Sequence, residues 1–296
     1  MEFRSACYTD IGVRKKTNQD ALLLLHARDP EGQEMVLAAI CDGVGGLKMG
    51  ELASALVVQQ LHQWFCQRMP QLCRDPDPEG EIFREWAQLI EEVHGALKTF
   101  SEEKGFQLGT TVEILLLLAG RYYICHVGDC RVYSLTDRFT QLTKDHSLVQ
   151  QEMDAGRLTP EQARRDPRQN LLWQCVGAGE LPNPDFLYGT VEPGQSFLLC
   201  CDGFRRRVTA GELENFCRST EEDRMVQGLE KVTRLCEHRG ETDNITSILV
   251  HSCRPRRSLW GLLHPEPKPA GTGQFRLTRE ILEEHARTPA PGQENE

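Results

Sequence analysis

Five aspartates border predicted apolar strands, and their placement is the chemically informative feature of this sequence. Asp42 follows the run MVLAAIC and Asp202 follows SFLLCC, each with a glycine directly after it. A single Asp-Gly pair after a strand is a common turn signal. Two such strands, however, can project their carboxylates from one end of a sheet into a shared site. The other three aspartates at strand ends are Asp20, Asp129 and Asp243.

This oxygen-only donor set favours a hard divalent cation. Mg²⁺ and Mn²⁺ prefer octahedral oxygen coordination, whereas Zn²⁺ usually recruits His or Cys. None of the 12 cysteines has the C-x-x-C spacing of zinc or dithiol redox sites. Carboxylates that are crowded together repel one another unless cations neutralise them. The sequence therefore predicts an Mg²⁺ or Mn²⁺ site where these strands end.

The strands that must position the aspartates are predicted from short apolar runs separated by turn signals. Ala119-Gly120 and Thr136-Asp137 are typical hairpin connections, which favours antiparallel pairing there. The runs have the length and boundaries of buried strands. They are ALLLL, MVLAAI, VEILLLL, YYICHV, FLLCC and ITSILV.

Helices are predicted from a different spacing of apolar residues. Residues 52–65 and 83–97 keep the periodicity of amphipathic helices, and the polar stretch 147–169 is typical of a helical segment with a loop. Strands flanked by long helices, with hairpins instead of strict strand-helix alternation, indicate a layered α+β domain. In such a domain the helices lie outside packed sheets.

Composition and charge limit the partners and the compartment. The 34 Lys and Arg against 44 Asp and Glu give a formal charge of −10, which argues against nucleic acid or anionic membrane as the main partner. The N-terminus has no apolar export segment, and the stretch ILLLLA is too short to span a bilayer. Cysteines inside apolar runs are typical of reduced core thiols, so we expect a cytoplasmic protein.

The C-terminal region differs from the rest of the chain because it mixes basic residues with Pro and Gly and is low in apolar residues. We predict a folded domain over residues 1–252 and a mobile tail over 253–296, outside the core. Within the tail, FRLTREILEEHAR predicts one short helix. Trp260, Leu262 and Leu263 are either a docking patch or incidental apolar residues of a disordered end.

Taken in order, these motifs resemble those of the metal-dependent protein serine/threonine phosphatases of type 2C, the PPM family. The resemblance covers about residues 5–252, and the form DGVGG is closest to the bacterial branch. It implies an α/β/β/α sandwich of two antiparallel sheets flanked by helices, with a binuclear metal centre at one edge. The matching segments are TDIGVRKKTNQDA, CDGVGGLKMGELAS, GTTVEILLLL, VGDCRVYSL, LTKDHSLV, CDGF and DNITSILV.

The resemblance also implies roles for individual residues. Asp42 would bridge two Mn²⁺ or Mg²⁺ ions, and Gly43 would lend its backbone carbonyl. Asp202 and Asp243 would complete the protein ligands of one ion, and Asp20 would bind on the other side, directly or through water. Asp42, Asp202 and Asp243 are therefore the expected catalytic residues.

A third, weaker ion is implied at Asp129, which matches a position that binds such an ion together with Asp202 in bacterial relatives. Two metals about 3.5–4 Å apart can share a water, lower its pKa and direct it in line at phosphorus. Phosphoryl transfer consists largely of positioning and charge neutralisation. Neither a covalent phosphoenzyme nor a nucleophilic cysteine is then required.

The sequence departs from the family pattern where the substrate phosphate is expected. Lys15 stands where the family usually has an arginine that grips the phosphate, and Arg14 lies beside it. A lysine offers a point charge instead of a bidentate fork. Phosphate affinity is then expected to be lower unless Arg14 takes over the contact, and the alternative is that both residues are solvated at a strand end. Further departures are Gln19, Val44, Leu47, Cys130, Cys201 and the run Phe204-Arg205-Arg206-Arg207.

Residues 146–170 match the mobile flap beside the metal site of bacterial relatives, and loops near a fixed site commonly decide substrate choice. In this flap Arg164, Arg165 and Arg168 are either phosphopeptide contacts or ordinary surface charge.

We interpret the chain as an active phosphatase that hydrolyses phosphoserine and phosphothreonine in proteins by attack of a metal-bridging water or hydroxide. The expected partners are phosphorylated proteins and a cognate serine/threonine kinase in a bacterial cytoplasm, and we expect a monomer. The atypical Lys15, Gln19 and CDGFRRR leave open a pseudophosphatase that binds phosphoproteins without turnover. A metal phosphohydrolase acting on small phosphoesters is the third interpretation.

Overall fold

The structure is a computed structural model that describes residues 1–44, 47, 49–253 and 274–284. Strands and helices follow one another along the chain without a strict alternation. Their order and bounds are β1 (Phe3–Asp10), β2 (Ala21–Arg28), β3 (Glu34–Cys41), α1 (Gly50–Leu72), α2 (Glu79–Lys104), β4 (Val112–Leu118), β5 (Arg121–Val127), β6 (Arg131–Leu135), β7 (Phe139–Gln141), α3 (Leu148–Asp154), α4 (Pro160–Ala163), β8 (Asp185–Thr190), β9 (Ser196–Cys200), α5 (Asp202–Arg205), α6 (Ala210–Cys217), α7 (Glu222–His238), β10 (Ile245–Ser252) and β11 (Arg276–Glu283).

The strands form two antiparallel sheets that pack face to face. The first sheet has the order β1-β10-β9-β6-β7, and the second has the order β11-β2-β3-β4-β5-β8. One core fills the space between the sheets and extends to α6 and α7 on the outer face of the first sheet. A second core lies between the second sheet and the helices α1 and α2. The predicted α/β/β/α sandwich is therefore confirmed.

The continuous apolar runs in the sequence reflect strands that are covered on both faces. In β2, Leu22 and Leu24 belong to the core between the sheets, whereas Leu23 and Leu25 belong to the core beneath α1 and α2. Successive side chains of a strand point to opposite faces, so a strand with two buried faces needs apolar residues at every position.

The predicted hairpins are also present. Ala119 and Gly120 have φ values of 50° and 77°, the left-handed pair that a tight two-residue turn needs, and they join Leu118 to its partner Arg121. The second hairpin pairs Leu135 with Phe139 across the turn after β6.

The three predicted helical stretches are confirmed as α1, α2 and the pair α3 and α4. The rings of Trp64 and Trp86 pack edge to face between α1 and α2, with centroids 5.4 Å apart. Among the residues that the structure describes, no helix combines the length and the apolar character needed to cross a bilayer.

Sequence analysis missed the helices α6 and α7. Thr209 and Glu212 form a capping box at the start of α6, and this local signal is visible in the sequence. The apolar side of α7 has helical spacing, but charged residues surround it, so its mean hydropathy is low. The buried apolar residues of α7 are Met225, Leu229, Val232 and Cys236.

The C-terminal region is the main correction. Residues 276–283 form the strand β11 and not a helix, and β11 pairs antiparallel with β2 at the edge of the second sheet. Part of the predicted tail therefore lies in the sheet. The edge of β2 supplies backbone hydrogen-bond partners for β11, and this edge would stay unpaired if the segment were a separate helix. The boundary at residue 253 stays a prediction, and Trp260, Leu262 and Leu263 lie outside the described residues.

We expect β11 to contribute to stability through its apolar side chains. Leu282 is half-buried and packs against the second core, so Leu282→Ala should cost about 1–2 kcal/mol, less than a full core deletion. The exposed Thr278 provides the control, because Thr278→Ala should change the free energy of unfolding by less than about 0.5 kcal/mol. Urea denaturation measures both values. Equal stability of the Leu282→Ala variant and the wild type would contradict the packing of β11.

Candidate metal centre

Strand register brings Asp20 and Asp42 together. Ala21, the first residue of β2, pairs with Cys41, the last residue of β3. The residue before β2 and the residue after β3 therefore lie side by side at one edge of the second sheet. In the first sheet, the pairing of β9 with β10 and β6 brings the other three aspartates to the facing end. These three are Asp129, Asp202 and Asp243.

The Asp-Gly pairs are needed for close approach of the backbone as well as for turns. A Cβ on Gly43 would lie 2.7 Å from the carbonyl carbon of Gly50 and 2.8 Å from the backbone oxygen of Gln19. A Cβ on Gly203 would overlap the carbonyl oxygen of Asn244. Any larger residue would push these loops apart, so both glycines hold the aspartates at the meeting point of the two sheets.

Asp20, Asp42 and Cys201 form the centre of the site. Each offers one possible metal-ligand atom, and these atoms all lie within 4.8 Å of one another. Burial and the neighbouring carboxylates of Asp20 and Asp42 hold the pKa of the Cys201 thiol well above its usual value. The thiol is therefore protonated in this arrangement. Its sulfur accepts a hydrogen bond from the backbone N–H of Thr246, at 3.1 Å.

The two central carboxylates are held in an environment that disfavours their charge. Burial raises the pKa of Asp20 to about 6, although Thr246 donates a 2.6 Å hydrogen bond to its Oδ2. Burial also raises the pKa of Asp42 well above its usual value, and the charges of Asp20, Asp243 and Asp129 raise it further. Three of the other predicted aspartates thus act on Asp42, as carboxylates around one site do.

Two oxygens in the site have no hydrogen-bond partner among the described residues. They are Oδ1 of Asp20 and Oδ1 of Asp202, and both are buried. An unpaired buried carboxylate oxygen is costly in protein and needs a donor or a cation. Hard divalent cations take oxygen ligands of this kind. The donor set therefore fits Mg²⁺ or Mn²⁺ at the centre.

Three cationic side chains hold the outer aspartates. Lys15 Nζ lies 2.5 Å from Oδ1 of Asp243, and both side chains are more than a quarter exposed. Arg206 pairs with Oδ2 of Asp202. The third contact joins Arg205 to Asp129, with 3.6 Å between the guanidinium and Oδ2.

The structure thus separates the predicted site residues into groups. Asp20 and Asp42 lie in the centre, Gly43 adjoins them, and Asp129, Asp202 and Asp243 are ion-paired around them. Lys15 is at the site, whereas Arg14 is exposed on the same loop. The ligand roles assigned to these residues stay predictions.

The flap arginines are mostly paired within their own segment. Arg165 lies 3.3 Å from Glu161, and Arg168 lies 2.8 Å from Asp166. Arg164 is exposed. For Arg165 and Arg168 the structure favours ordinary surface pairing over a preformed phosphopeptide contact.

Sequence analysis missed a layer of buried ionic groups behind the site. Arg131 makes a two-point contact with Asp145, at 2.7 and 2.8 Å, and His126 Nδ1 lies 2.8 Å from Glu113. Both pairs join positions more than a dozen residues apart, so local pattern does not reveal them. One signal was visible, since Glu113 is the charged residue in the otherwise apolar strand VEILLLL.

The raised pKa of Asp20 predicts a destabilising charge in the metal-free protein. Its pKa is about 6 in the fold and near 4 in an unfolded chain, so the metal-free protein should lose stability as pH rises through that window. Asp20→Asn should therefore stabilise the metal-free protein on the order of 1–3 kcal/mol at about pH 7, and much less at about pH 4. Urea denaturation of both proteins in the presence of chelator, at both pH values, measures this difference in stability. A destabilised Asp20→Asn variant at neutral pH would contradict it.

Comparison with known proteins agrees with this geometry. The sequence profile of the family described as Protein phosphatase 2C matches residues 12–249. The protein phosphatase PhpP of Streptococcus pneumoniae is 30% identical over 246 residues, which span 82% of this chain and 94% of PhpP. A serine/threonine phosphatase of S. agalactiae has the same fold, with a TM-score of 0.74 and 26% identity over 85% of this chain and all of that one.

A further solved structure is the catalytic domain of the serine/threonine phosphatase PstP in complex with two manganese ions. Its TM-score is 0.68 and its identity 26%, over 84% of this chain and 97% of that one. The profile covers most of the chain, and the fold and strand-end aspartates agree with it. The resemblance noted from the motifs is thereby confirmed: the chain belongs to the protein phosphatase 2C family, in its bacterial type.

Proposed function

We propose that this protein is a metal-dependent phosphatase that hydrolyses phosphoserine and phosphothreonine in proteins. The observation that carries the proposal is the pair Asp20 and Asp42 at the meeting edge of the two sheets, where burial raises the pKa of both carboxyls and the charge of Asp20 raises that of Asp42 further. Both carboxyl groups of such a pair stay ionised only when a bound cation offsets their repulsion. The manganese complex of PstP, a structural relative, supports this choice of ion.

Two Mn²⁺ or Mg²⁺ ions bound here would supply an activated water at neutral pH and neutralise the phosphate. Asp42 would bridge them, with Asp20 on one side and Asp202 and Asp243 on the other, assisted by the carbonyl of Gly43. Thr246 orients Asp20 through its 2.6 Å hydrogen bond. Arg206 holds one oxygen of Asp202, which leaves Oδ1 available as a ligand.

Lys15 would receive the substrate phosphate in this proposal. Its ammonium group contacts Asp243 at the partly exposed rim of the site, so an incoming phosphate oxygen can share or replace that contact. Lysine binds phosphate as a point charge, without the two-point geometry of arginine. Lys15 is therefore the proposed phosphate-binding residue, and the exposed Arg14 contributes only long-range attraction.

The cysteines close to the ligands do not act as nucleophiles in this proposal. Burial raises the pKa of the thiols of Cys41, Cys130, Cys200 and Cys201, and neighbouring acids raise it further for most of them. A protonated thiol is a poor nucleophile. Hydrolysis by water directed at phosphorus then needs no covalent intermediate.

We further propose that the phosphatase domain comprises residues 1–252, extended by β11. Its substrates would be phosphorylated proteins, and it would oppose a serine/threonine kinase in the cytoplasm as a monomer. The PstP relative of Mycobacterium tuberculosis, named a serine/threonine protein phosphatase, is 28% identical over 250 residues, which supports this substrate class.

Metal dependence is tested with a phosphothreonine peptide. The wild type should release phosphate with Mn²⁺ and stop in chelator, and Asp42→Asn should lower kcat by about a thousandfold or more because the bridging charge is lost. Asp137→Asn, at an exposed hairpin tip, is the matched control and should retain full activity. Turnover that persists in chelator would refute metal-dependent hydrolysis, and turnover of free phosphoserine but not of peptide would indicate a small-molecule substrate.

The role of Lys15 is tested by comparing three variants at saturating Mn²⁺. Lys15→Ala should raise KM for a phosphopeptide about tenfold, the equivalent of about 1.4 kcal/mol. Lys15→Arg should preserve or lower KM, since a guanidinium can bind the phosphate at two points. Arg14→Ala should change KM by less than about twofold, as a screened surface charge does. A larger effect of Arg14→Ala than of Lys15→Ala would reassign phosphate binding to Arg14.

A further inference from the structure

Arg205 follows the second Asp-Gly pair in the sequence, separated from it by Phe204. Its side chain is almost entirely enclosed by protein. Its side chain is 14% exposed, and the carboxylates of Asp129 and Asp145 near it are 9% and 8% exposed. The guanidinium donates a 2.8 Å hydrogen bond to the backbone oxygen of Asp129 and a 3.2 Å hydrogen bond to Oδ2 of Asp145. Its distance to Oδ2 of Asp129 is 3.6 Å. A fixed positive charge therefore lies at Asp129.

The neighbouring Arg206 likewise places a positive charge beside Asp202. It pairs with Oδ2 of Asp202 and lies 3.3 Å from Oε1 of Glu241, which is itself buried. The two carboxylates implied for a third ion, those of Asp129 and Asp202, are thus both engaged by consecutive arginines of this chain. These residues do not fit a third divalent ion, because it would have to approach beside two guanidinium groups.

The position of Arg205 is fixed by more than its charge. Arg131 binds Asp145 from the start of β6 with two hydrogen bonds, and this holds Asp145 where Arg205 can reach it. Arg205 thereby joins α5 to the loop between β5 and β6. Reorienting it to admit a metal would break its hydrogen bonds to both Asp129 and Asp145 and leave a buried carboxylate less well paired.

We propose that Arg205 acts as a built-in cation at Asp129, so that this protein binds two divalent ions at its centre and no third ion between Asp129 and Asp202. The proposal rests on the proposed function, because it takes the two-ion centre at Asp42 as given. In consequence the corner formed by α5 and the β5–β6 loop keeps its structure at any metal concentration. Activity should then saturate in a single phase as Mn²⁺ is raised.

The test counts bound Mn²⁺ on the full chain by titration calorimetry and by electron paramagnetic resonance of the free ion. The wild type should bind two ions, and Asp129→Asn should also bind two. Arg205→Gln should gain a third ion of about millimolar affinity, and the double variant Arg205→Gln with Asp129→Asn should lose it again. The Arg205→Lys variant keeps the positive charge and should still bind two Mn²⁺ ions. Arg218→Gln removes an exposed guanidinium and is the matched control.

Each result has a definite meaning. A third ion in the wild type that disappears in Asp129→Asn overturns the proposal, even if activity depends on Mn²⁺ as expected. A folded Arg205→Gln variant that still binds two ions also overturns it. If Arg205→Gln does not fold by circular dichroism, the wild type and Asp129→Asn decide the question alone. A wild type that binds no Mn²⁺ would overturn this inference together with the proposed function.

Discussion

Mutual repulsion of buried carboxylates is the constraint on which this structure depends. The register of two antiparallel sheets brings five aspartates to one edge, where water cannot screen their charges fully. The fold tolerates this because each charge has some compensation from a hydroxyl, an ammonium or a guanidinium group. The carboxyl pKa rises at Asp20 and Asp42, and also at Asp129, where burial outweighs the nearby charge of Arg205. The electrostatic cost of crowding these carboxylates and the proposed affinity of the centre for cations have the same origin.

The sandwich supplies the rigidity that such a site requires. Strands β2 and β3 are buried on both faces, so neither can move without disturbing two cores. The loops that carry the aspartates cross so closely that Gly43 and Gly203 have no room for a side chain. The proposed ligands are therefore held in position by the fold itself, and preorganised charge of this kind loses little energy to rearrangement.

The sequence predicted the parts of the fold that depend on local residue patterns. The apolar runs predicted the strands. The Asp-Gly pairs after two of these runs marked the strand ends, and so predicted that Asp42 and Asp202 lie at the edge of a sheet. The strand β11 was wrongly predicted as a helix, since it depends on the free edge of β2, which sequence does not show. Arg205 could be noted as unusual, but its partner Asp145 lies 60 positions away. Contacts of that kind are fixed by tertiary packing alone.

The distribution of internal cations explains why metal would bind at the centre of the site. Lys15, Arg205 and Arg206 neutralise Asp243, Asp129 and Asp202, whereas no ion pair joins Asp20 or Asp42 to a cationic side chain in the described part of the chain. A divalent ion gains most where negative charge is least compensated. In the proposed centre, the three outer cations would thus direct metal to Asp20 and Asp42. With ions bound there, a chain of net charge −10 presents a locally positive site to an anionic phosphate.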